Sequence, residues 1–230
     1  MNKNTSLFET VLASTVHDMK NSLSLVLAQL DQISDLIENS DDQNIVSTLR
    51  YESSRINLSL MQMLTLYKLD KDQLTVRSVE VELIDFIEDC VASHMPLAKN
   101  TNIKLDIDCD EFLVWFFDPD IVSIAINNII GNSIRYTKTQ VKISVREDNT
   151  NGHKGIIIEI SDDGDGYPEM MLIEPENYIK TINHSTGSTG LGLFFSATIA
   201  AMHQKNAVSG RISLDNGNCW NGGRFQLHLP

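Results

Sequence analysis

Ile160-Ser-Asp162-Asp163-Gly164-Asp165-Gly166 closes the strand-like run Ile156–Ile160 and turns sharply. Two glycines here allow positive φ and close backbone approach. The carboxylate of Asp162, at the strand end, can accept a hydrogen bond from the exocyclic amine of adenine. Guanine presents a carbonyl at that position, and a buried carboxylate facing it is left unpaired, at a cost of roughly 1–3 kcal/mol or more. A simple tight turn would use the same residues. A calcium loop is a third reading, set aside because the further acidic ligands of an EF-hand spacing are absent.

Upstream, Asn128-Ile-Ile-Gly-Asn132-Ser-Ile-Arg135-Tyr136-Thr137 sets two amides at i and i+4 on one helix face, with Arg135 three residues on. Amide oxygens are hard ligands suited to Mg²⁺, which keeps several waters and takes its remaining ligands from phosphates. Arg135 can answer the phosphate charge. A pair of asparagines satisfying a helix end is the plainer alternative. Downstream, Thr186-Gly-Ser-Thr-Gly190-Leu-Gly192-Leu193 opens a helix, and its glycines let backbone N–H groups approach anionic oxygens at the positive helix end. A Gly-rich turn alone is weak evidence. A dinucleotide fold would want it near the start of a βαβ unit, and a P-loop would follow it with Gly-Lys-Ser/Thr; both are missing.

Around these segments the pattern alternates between element types. Val79–Ala98 reads as helix ending near Pro96, Ile103–Ile107 and Phe112–Phe117 as strands, and Ile121–Tyr136 as helix behind the cap Asp118-Pro119-Asp120. Val141–Val145 and Ile156–Ile160 read as strands about the polar loop Arg146–Gly155, Leu191–Met202 as helix, and Ile212–Leu214 and Phe225–Leu229 as closing strands. The mixture predicts an α+β sandwich of sheet against helices.

The N-terminal third differs. Residues 5–38 contain no Pro or Gly, and Leu12, Thr15, Met19, Ser22, Val26, Leu30, Ile33 and Ile37 form a helical stripe. Asn39–Asn44 is a polar break with capping residues, and Ile45, Leu49, Ile56, Leu60, Met63 and Tyr67 mark a second helix face. Such a hairpin cannot bury its apolar faces alone. Pairing with a second copy gives a dimeric four-helix bundle; packing on the C-terminal domain is the alternative. Lys68–Gln73 reads as the hinge, giving domains 1–70 and 71–230.

With Leu12, Thr15, Met19, Ser22 and Val26 at positions a and d, His17 falls at f and points to solvent. An exposed neutral imidazole nitrogen is a competent nucleophile toward phosphorus, and a carboxylate such as Asp18 on the other ring nitrogen fixes the tautomer and stabilises the cation formed on attack. Asn21, at i+4, shares the His17 face and can position a water for hydrolysis of phosphorylated histidine. A lone surface histidine is usually idle, so His17 gains meaning only beside a phosphoryl donor site.

Composition bounds the reading. Lys+Arg less Asp+Glu is 18 − 31 = −13, which argues against general affinity for nucleic acid or anionic membrane. Cys90, Cys109 and Cys219 are odd in number and without metal-ligand spacing, fitting a reducing cytoplasm. There is no signal-peptide pattern and no run approaching the roughly 18 apolar residues of a membrane span.

In this order and spacing the motifs resemble the sensor histidine kinase family, whose ATPase domain belongs to the superfamily shared with DNA gyrase, the heat-shock ATPase chaperone and mismatch-repair MutL. His17–Asn21 is similar to its phosphoacceptor H-box, Asn128–Thr137 to the N-box, Asp162–Gly166 and Gly187–Leu193 to the two glycine boxes, and Gly210-Arg-Ile-Ser with Gly223–Pro230 to the closing strands. The resemblance implies that ATP phosphorylates His17, with Asp18 as acid/base partner. It implies that Asn132, helped by Asn128, holds Mg²⁺, that Asp162 selects adenine over a floor shaped by Gly164 and Gly166, and that Arg135 and Tyr136 flank the nucleotide. Ser188, Thr189, Gly190, Leu191 and Gly192 would cradle phosphates, and residues 169–189 would form a mobile lid.

There are departures from the pattern. Ser22 stands where the H-box often has proline, Ser188 where the second glycine box opens with glycine, and Ile173–Tyr178 lacks the phenylalanines of the family's Phe box. The expected function is a cytoplasmic, homodimeric, ATP- and Mg²⁺-dependent histidine kinase. It would transfer phosphate to an aspartate of a response-regulator receiver domain and, by its His-Asp-x-x-Asn pattern, dephosphorylate it too. The alternatives are a non-catalytic histidine phosphotransferase and a kinase-modulating binding module, each with a degenerate ATP domain. Sixteen residues precede His17, too few for a sensor domain, so the signal would come from a separate sensor protein or from a longer chain containing this one. The remaining histidines, His94, His153, His184, His203 and His228, are expected to be surface or satisfied residues.

Overall fold

The computed structural model describes residues 3–34, 36–37, 40–71, 73–149, 154–173, 191–217 and 220–230. The chain divides into two units, Met1–Thr75 and Val76–Pro230. None of the described helices is long and apolar enough to cross a membrane.

In the first unit, helices α1 (Lys3–Ser34) and α2 (Ser40–Asp70) pack on each other. Neither contains proline or glycine, so nothing interrupts the i to i−4 ladder. Near the connection Arg50 Nε lies 2.9 Å from Asp31 Oδ1, and the Gln43 amide donates to the Ile37 carbonyl at 2.9 Å. Val16, Val46, Leu60, Gln62 and Thr65 are buried. Met19, Val26 and Ile33 on α1, and Ile45, Leu49, Ile56 and Met63 on α2, remain exposed. The helix boundaries differ from expectation: α1 ends at Ser34, and the polar residues 40–44 already belong to α2. Asp, Ser and Asn in a first helical turn satisfy its free N–H groups, so a polar break and a helix start look alike in sequence. Asn39 lies outside the described residues.

The second unit is an α+β sandwich. Strands β2 (Lys104–Asp108), β4 (Gln140–Asp148), β5 (Gly155–Asp162), β8 (Arg211–Asp215) and β9 (Arg224–Leu229) form one sheet in the order β2-β4-β5-β9-β8, with β2 parallel to β4 and the rest antiparallel. Its inner face is continuous in register. Ile143, Ile160 and Phe225 form one row and Val145, Ile158 and Leu227 the next, all nearly or fully buried. Each such side chain contributes about 1.5–3 kcal/mol on burial. Against the sheet lie α5 (Pro119–Tyr136) and α7 (Leu191–Met202), which contact each other, while α3 (Leu83–Ala92) packs on α5. The outer face is polar: Glu159 accepts from Gln226, Ser213 donates to Gln226, and Asp215 grips Arg224.

The segment Val79–Ala98 is not one helix. Val79–Glu82 is a strand, β1, paired antiparallel with β3 (Val114–Phe117), and α3 begins at Leu83. Pro96 does not end a helix; it stands in the first turn of the short α4 (Met95–Asn100), where its missing N–H costs nothing. A small hairpin of β6 (Gln204–Lys205) and β7 (Val208–Ser209) turns through Asn206 and Ala207, both at positive φ. The helix α6 (Glu169–Ile173) follows the β5 turn.

The helix carrying Asn128 and Asn132 is fixed at its start. Asp118 caps α5, its Oδ1 accepting from the N–H of Asp120 and Ile121 and its Oδ2 from that of Arg77. The Asp118 N–H in turn donates to buried His203 Nε2 at 3.1 Å, while His203 Nδ1 donates to the Ile199 carbonyl at 2.8 Å. Burial lowers the His203 pKa, as it does those of His94 and His228. His94 bonds Asn127, and His228 bonds Asp148 and Ser213. These three are satisfied structural histidines, as expected; His153 and His184 lie outside the described residues.

Candidate functional site

Asp162 is the last residue of β5, and only 7% of it is exposed. Its Oδ1 accepts from the backbone N–H of Gly164 at 2.9 Å and of Gly223 at 3.1 Å. Burial raises its pKa, those two hydrogen bonds oppose the rise, and neighbouring Asp163 adds to it. The surroundings are built for close approach. A Cβ on Gly164 would overlap the Tyr136 carbonyl, one on Gly222 the Asp162 carbonyl, and one on Gly223 would crowd Asp162 Oδ2 and the Tyr167 ring. Gly166 has φ +78° and packs on the Asn216 amide, which holds Tyr167 at both ends: Oδ1 accepts from its N–H at 2.7 Å and Nδ2 donates to its carbonyl at 2.9 Å.

On α5 the two amides meet. Asn132 Nδ2 donates to Asn128 Oδ1 at 3.2 Å, so the Asn128 oxygen is engaged, while Asn132 Oδ1 accepts no hydrogen bond among the described residues. The first turn of α7 closes on this pair, for a Cβ on Gly192 would collide with the Asn128 amide. The glycine boxes are thus seated against the N-box at two places, Gly164 on Tyr136 and Gly192 on Asn128. Arg135 and Tyr136 are not drawn to those contacts through their side chains: both are exposed, with the Arg135 guanidinium 5.7 Å from the centre of the Tyr136 ring. Ser188, Thr189 and Gly190 lie outside the described residues, as do Gly187, Cys219 and most of the expected lid and Phe box; of Leu191 only the backbone is described.

In the helical unit His17 is well exposed, its side chain retaining 61% accessibility. Its Nδ1 lies 3.3 Å from Asn21 Nδ2 and 3.7 Å from Asp18 Oδ1. Asn21, rather than Asp18, makes the hydrogen bond to the ring, because i+4 brings side chains together on a helix and i+1 does not. Nε2 has no partner among the described residues.

These groups suit a magnesium nucleotide. Asn132 Oδ1 is a hard donor atom, unengaged among the described residues, of the kind Mg²⁺ takes alongside phosphate oxygens. Asp162 is a held, buried acceptor at the strand end, and the glycines leave room that side chains would fill. Asp163, Asn216 and the pair Gly222-Gly223 also shape the site, and sequence reading missed them. Only the Gly-Gly doublet before the last strand was a usable sign, since a doublet there marks close backbone approach.

A family model described as Histidine kinase-, DNA gyrase B-, and HSP90-like ATPase matches residues 117–230. The chain is similar to the sensor histidine kinase CssS of Bacillus subtilis (strain 168), at 27% identity over 227 residues, 96% of this chain and 46% of that protein. Among solved structures it is similar to the Acinetobacter baumannii histidine kinase AdeS, with TM-score 0.59 at 17% identity over 93% of this chain and 96% of that one. It is also similar to full-length ShkA in complex with AMPPNP, with TM-score 0.65 at 17% identity over 96% of this chain and 45% of that one. At these identities the structures speak for the fold alone. The chain spans about half the length of the curated relatives it matches.

Proposed function

From its place in the histidine kinase family, with a Histidine kinase-, DNA gyrase B-, and HSP90-like ATPase domain over residues 117–230, we infer that this chain phosphorylates itself on His17 from Mg-ATP. It then passes the phosphoryl group to an aspartate of a response-regulator receiver domain. Residues 1–70 act as the dimerisation and phosphotransfer hairpin and 71–230 as the catalytic ATP-binding domain, in the cytoplasm, under the control of a separate sensor protein or of further sequence in a longer chain. The observation that carries the reading is the exposed His17, with Nδ1 facing Asn21 and Asp18 and Nε2 unpartnered among the described residues, in one chain with the Asp162 and Asn132 site.

Asp162 accepts from the adenine amine, and Asn132, supported by Asn128, holds magnesium; Gly192 and the residues before it admit the phosphates at the N-terminus of α7. Magnesium, when bound, neutralises phosphate charge. His17 Nε2 attacks the γ-phosphorus; the N–P bond forms as the bond to the β,γ-bridging oxygen breaks, and ADP leaves. The positive ring is stabilised through Nδ1 by the nearby Asp18 carboxylate. Positioning and charge neutralisation do most of the catalysis, as in other phosphoryl transfers. In the reverse phase Asn21 orients a water against the regulator's aspartyl phosphate.

Incubation with γ-labelled ATP labels the wild-type chain and not His17→Ala. Equal labelling of the two would reject His17 as the acceptor.

A further inference from the structure

Asp163, one residue past the adenine acceptor, takes no part in the steps above, yet its carboxylate collects donors from one short turn. Its Oδ1 accepts from the Thr137 hydroxyl and from the backbone N–H of Lys138 at 2.9 Å, Thr139 at 2.9 Å and Gln140 at 3.2 Å. Its Oδ2 accepts from the Thr139 hydroxyl. Desolvation pushes its pKa up, but the hydrogen bonds from Thr137, Thr139 and Lys138 prevail and hold the group well below the usual carboxylate range. The donors are the first residues beyond α5, and Thr137 is its C-cap. Next to this clasp Gly164 abuts the Tyr136 carbonyl. The nearby ion pair of Lys138 and Asp165 also spans the gap at 2.6 Å, but both groups stand in solvent, where such a pair contributes little.

We propose that Asp163 is a positioning residue for adenine-nucleotide binding. By pinning the 137–140 turn it sets the C-terminal end of α5, and with it Asn132, at a fixed distance from the Asp162 carboxylate. Asn132 precedes Thr137 by only about 7 Å of helix axis, so a shift of the turn is passed on to it with little loss. The proposal rests on the nucleotide reading of the site and adds a residue to it.

The test uses the full chain, with trinitrophenyl-ATP binding and the ATP dependence of His17 labelling. Asp163→Ala raises the KM for ATP and the dissociation constant of the analogue about tenfold, with kcat within about twofold. Asp163→Asn keeps the Oδ1 acceptor and stays near wild type. A merely architectural residue would instead lower the active fraction, reducing kcat at unchanged KM. That result, or an Asn variant as weak as the Ala variant, overturns the proposal. If Asp163→Ala fails to fold, Thr139→Val decides, since it removes one exposed donor: a severalfold rise in KM supports the role and an unchanged KM refutes it. A wild-type chain that neither binds the analogue nor labels sinks the nucleotide reading itself, and the proposal with it, which separates that failure from a failure of Asp163 alone.

Discussion

The chemistry proposed for His17 turns on which ring nitrogen carries the proton. Asn21 lies 3.3 Å from Nδ1 and can present either end of its amide. With the carbonyl toward the ring, Nδ1 holds the proton and the Nε2 lone pair is free to attack; with the NH₂ toward it, the tautomer reverses. Asp18, at 3.7 Å, acts on the same nitrogen by charge and favours the first arrangement. On the proposed roles, Asp18 poises the ring for attack and Asn21 is left for the water. Replacing Asn21 with Ala is expected to leave autophosphorylation within about threefold of wild type and to slow regulator dephosphorylation by about tenfold or more, on the order of a lost orienting contact. Phosphotransfer and dephosphorylation time courses with a purified receiver check this. If both activities fall together, Asn21 serves the ring and not the water.

Among the elements, α5 carries the burden, and its two ends differ in how well sequence announced them. Asp118-Pro119-Asp120 reads directly as a cap and first turn, and it is one. The His203 contact behind the cap joins residues 85 positions apart and had no local sign. The Asp163 clasp at the far end was equally hidden, because Asp-Asp-Gly-Asp-Gly reads as a turn whichever acid is held. The helical reading of Val79–Ala98 failed for a related reason. Val79-Glu-Val-Glu82 alternates, but no Gly or Pro separates it from Leu83, and only pairing with β3 makes it a strand. His203 also gives α5 a pH response. It donates through Nδ1 and accepts through Nε2, so the folded state needs the neutral ring. A histidine pKa lowered by folding means that the unfolded chain binds the extra proton first, so stability falls as pH drops below about 6.5. His94 and His228 are lowered as well and slope the same way, while Asp162, raised by burial, slopes the opposite way. Thermal scans of the wild type between about pH 8 and 5.5 are expected to show a falling midpoint. In His203→Gln, which offers an acceptor and a donor without titrating, the fall is smaller. Parallel curves for the two would remove His203 from the account.

For the whole molecule, the helical unit leaves its own argument incomplete within one chain. Val16, Val46 and Leu60 are buried, but Met19, Val26 and Ile33 recur every seven residues on α1 and stay exposed, as do Leu49, Ile56 and Met63 at the same spacing on α2. A seven-residue repeat on two packed helices has the spacing a bundle seam requires, and each such side chain gains about 1.5–3 kcal/mol if a partner covers it. A second copy would supply the same two stripes, and the spacing in the sequence already marked both of them as apolar faces that one hairpin does not cover by itself. The proposed homodimer therefore depends on this surface and not on the ATPase unit. Val26→Glu combined with Ile56→Glu sets four charges into a paired seam and adds none to the core of a single chain. Sedimentation velocity is expected to show a dimer for the wild type and a monomer for the double variant, with trinitrophenyl-ATP binding by the ATPase domain unchanged within about twofold, since independent sites add. A double variant that remains dimeric would place the dimer contact elsewhere, and a wild type that sediments as a monomer would leave the exposed stripes to another partner.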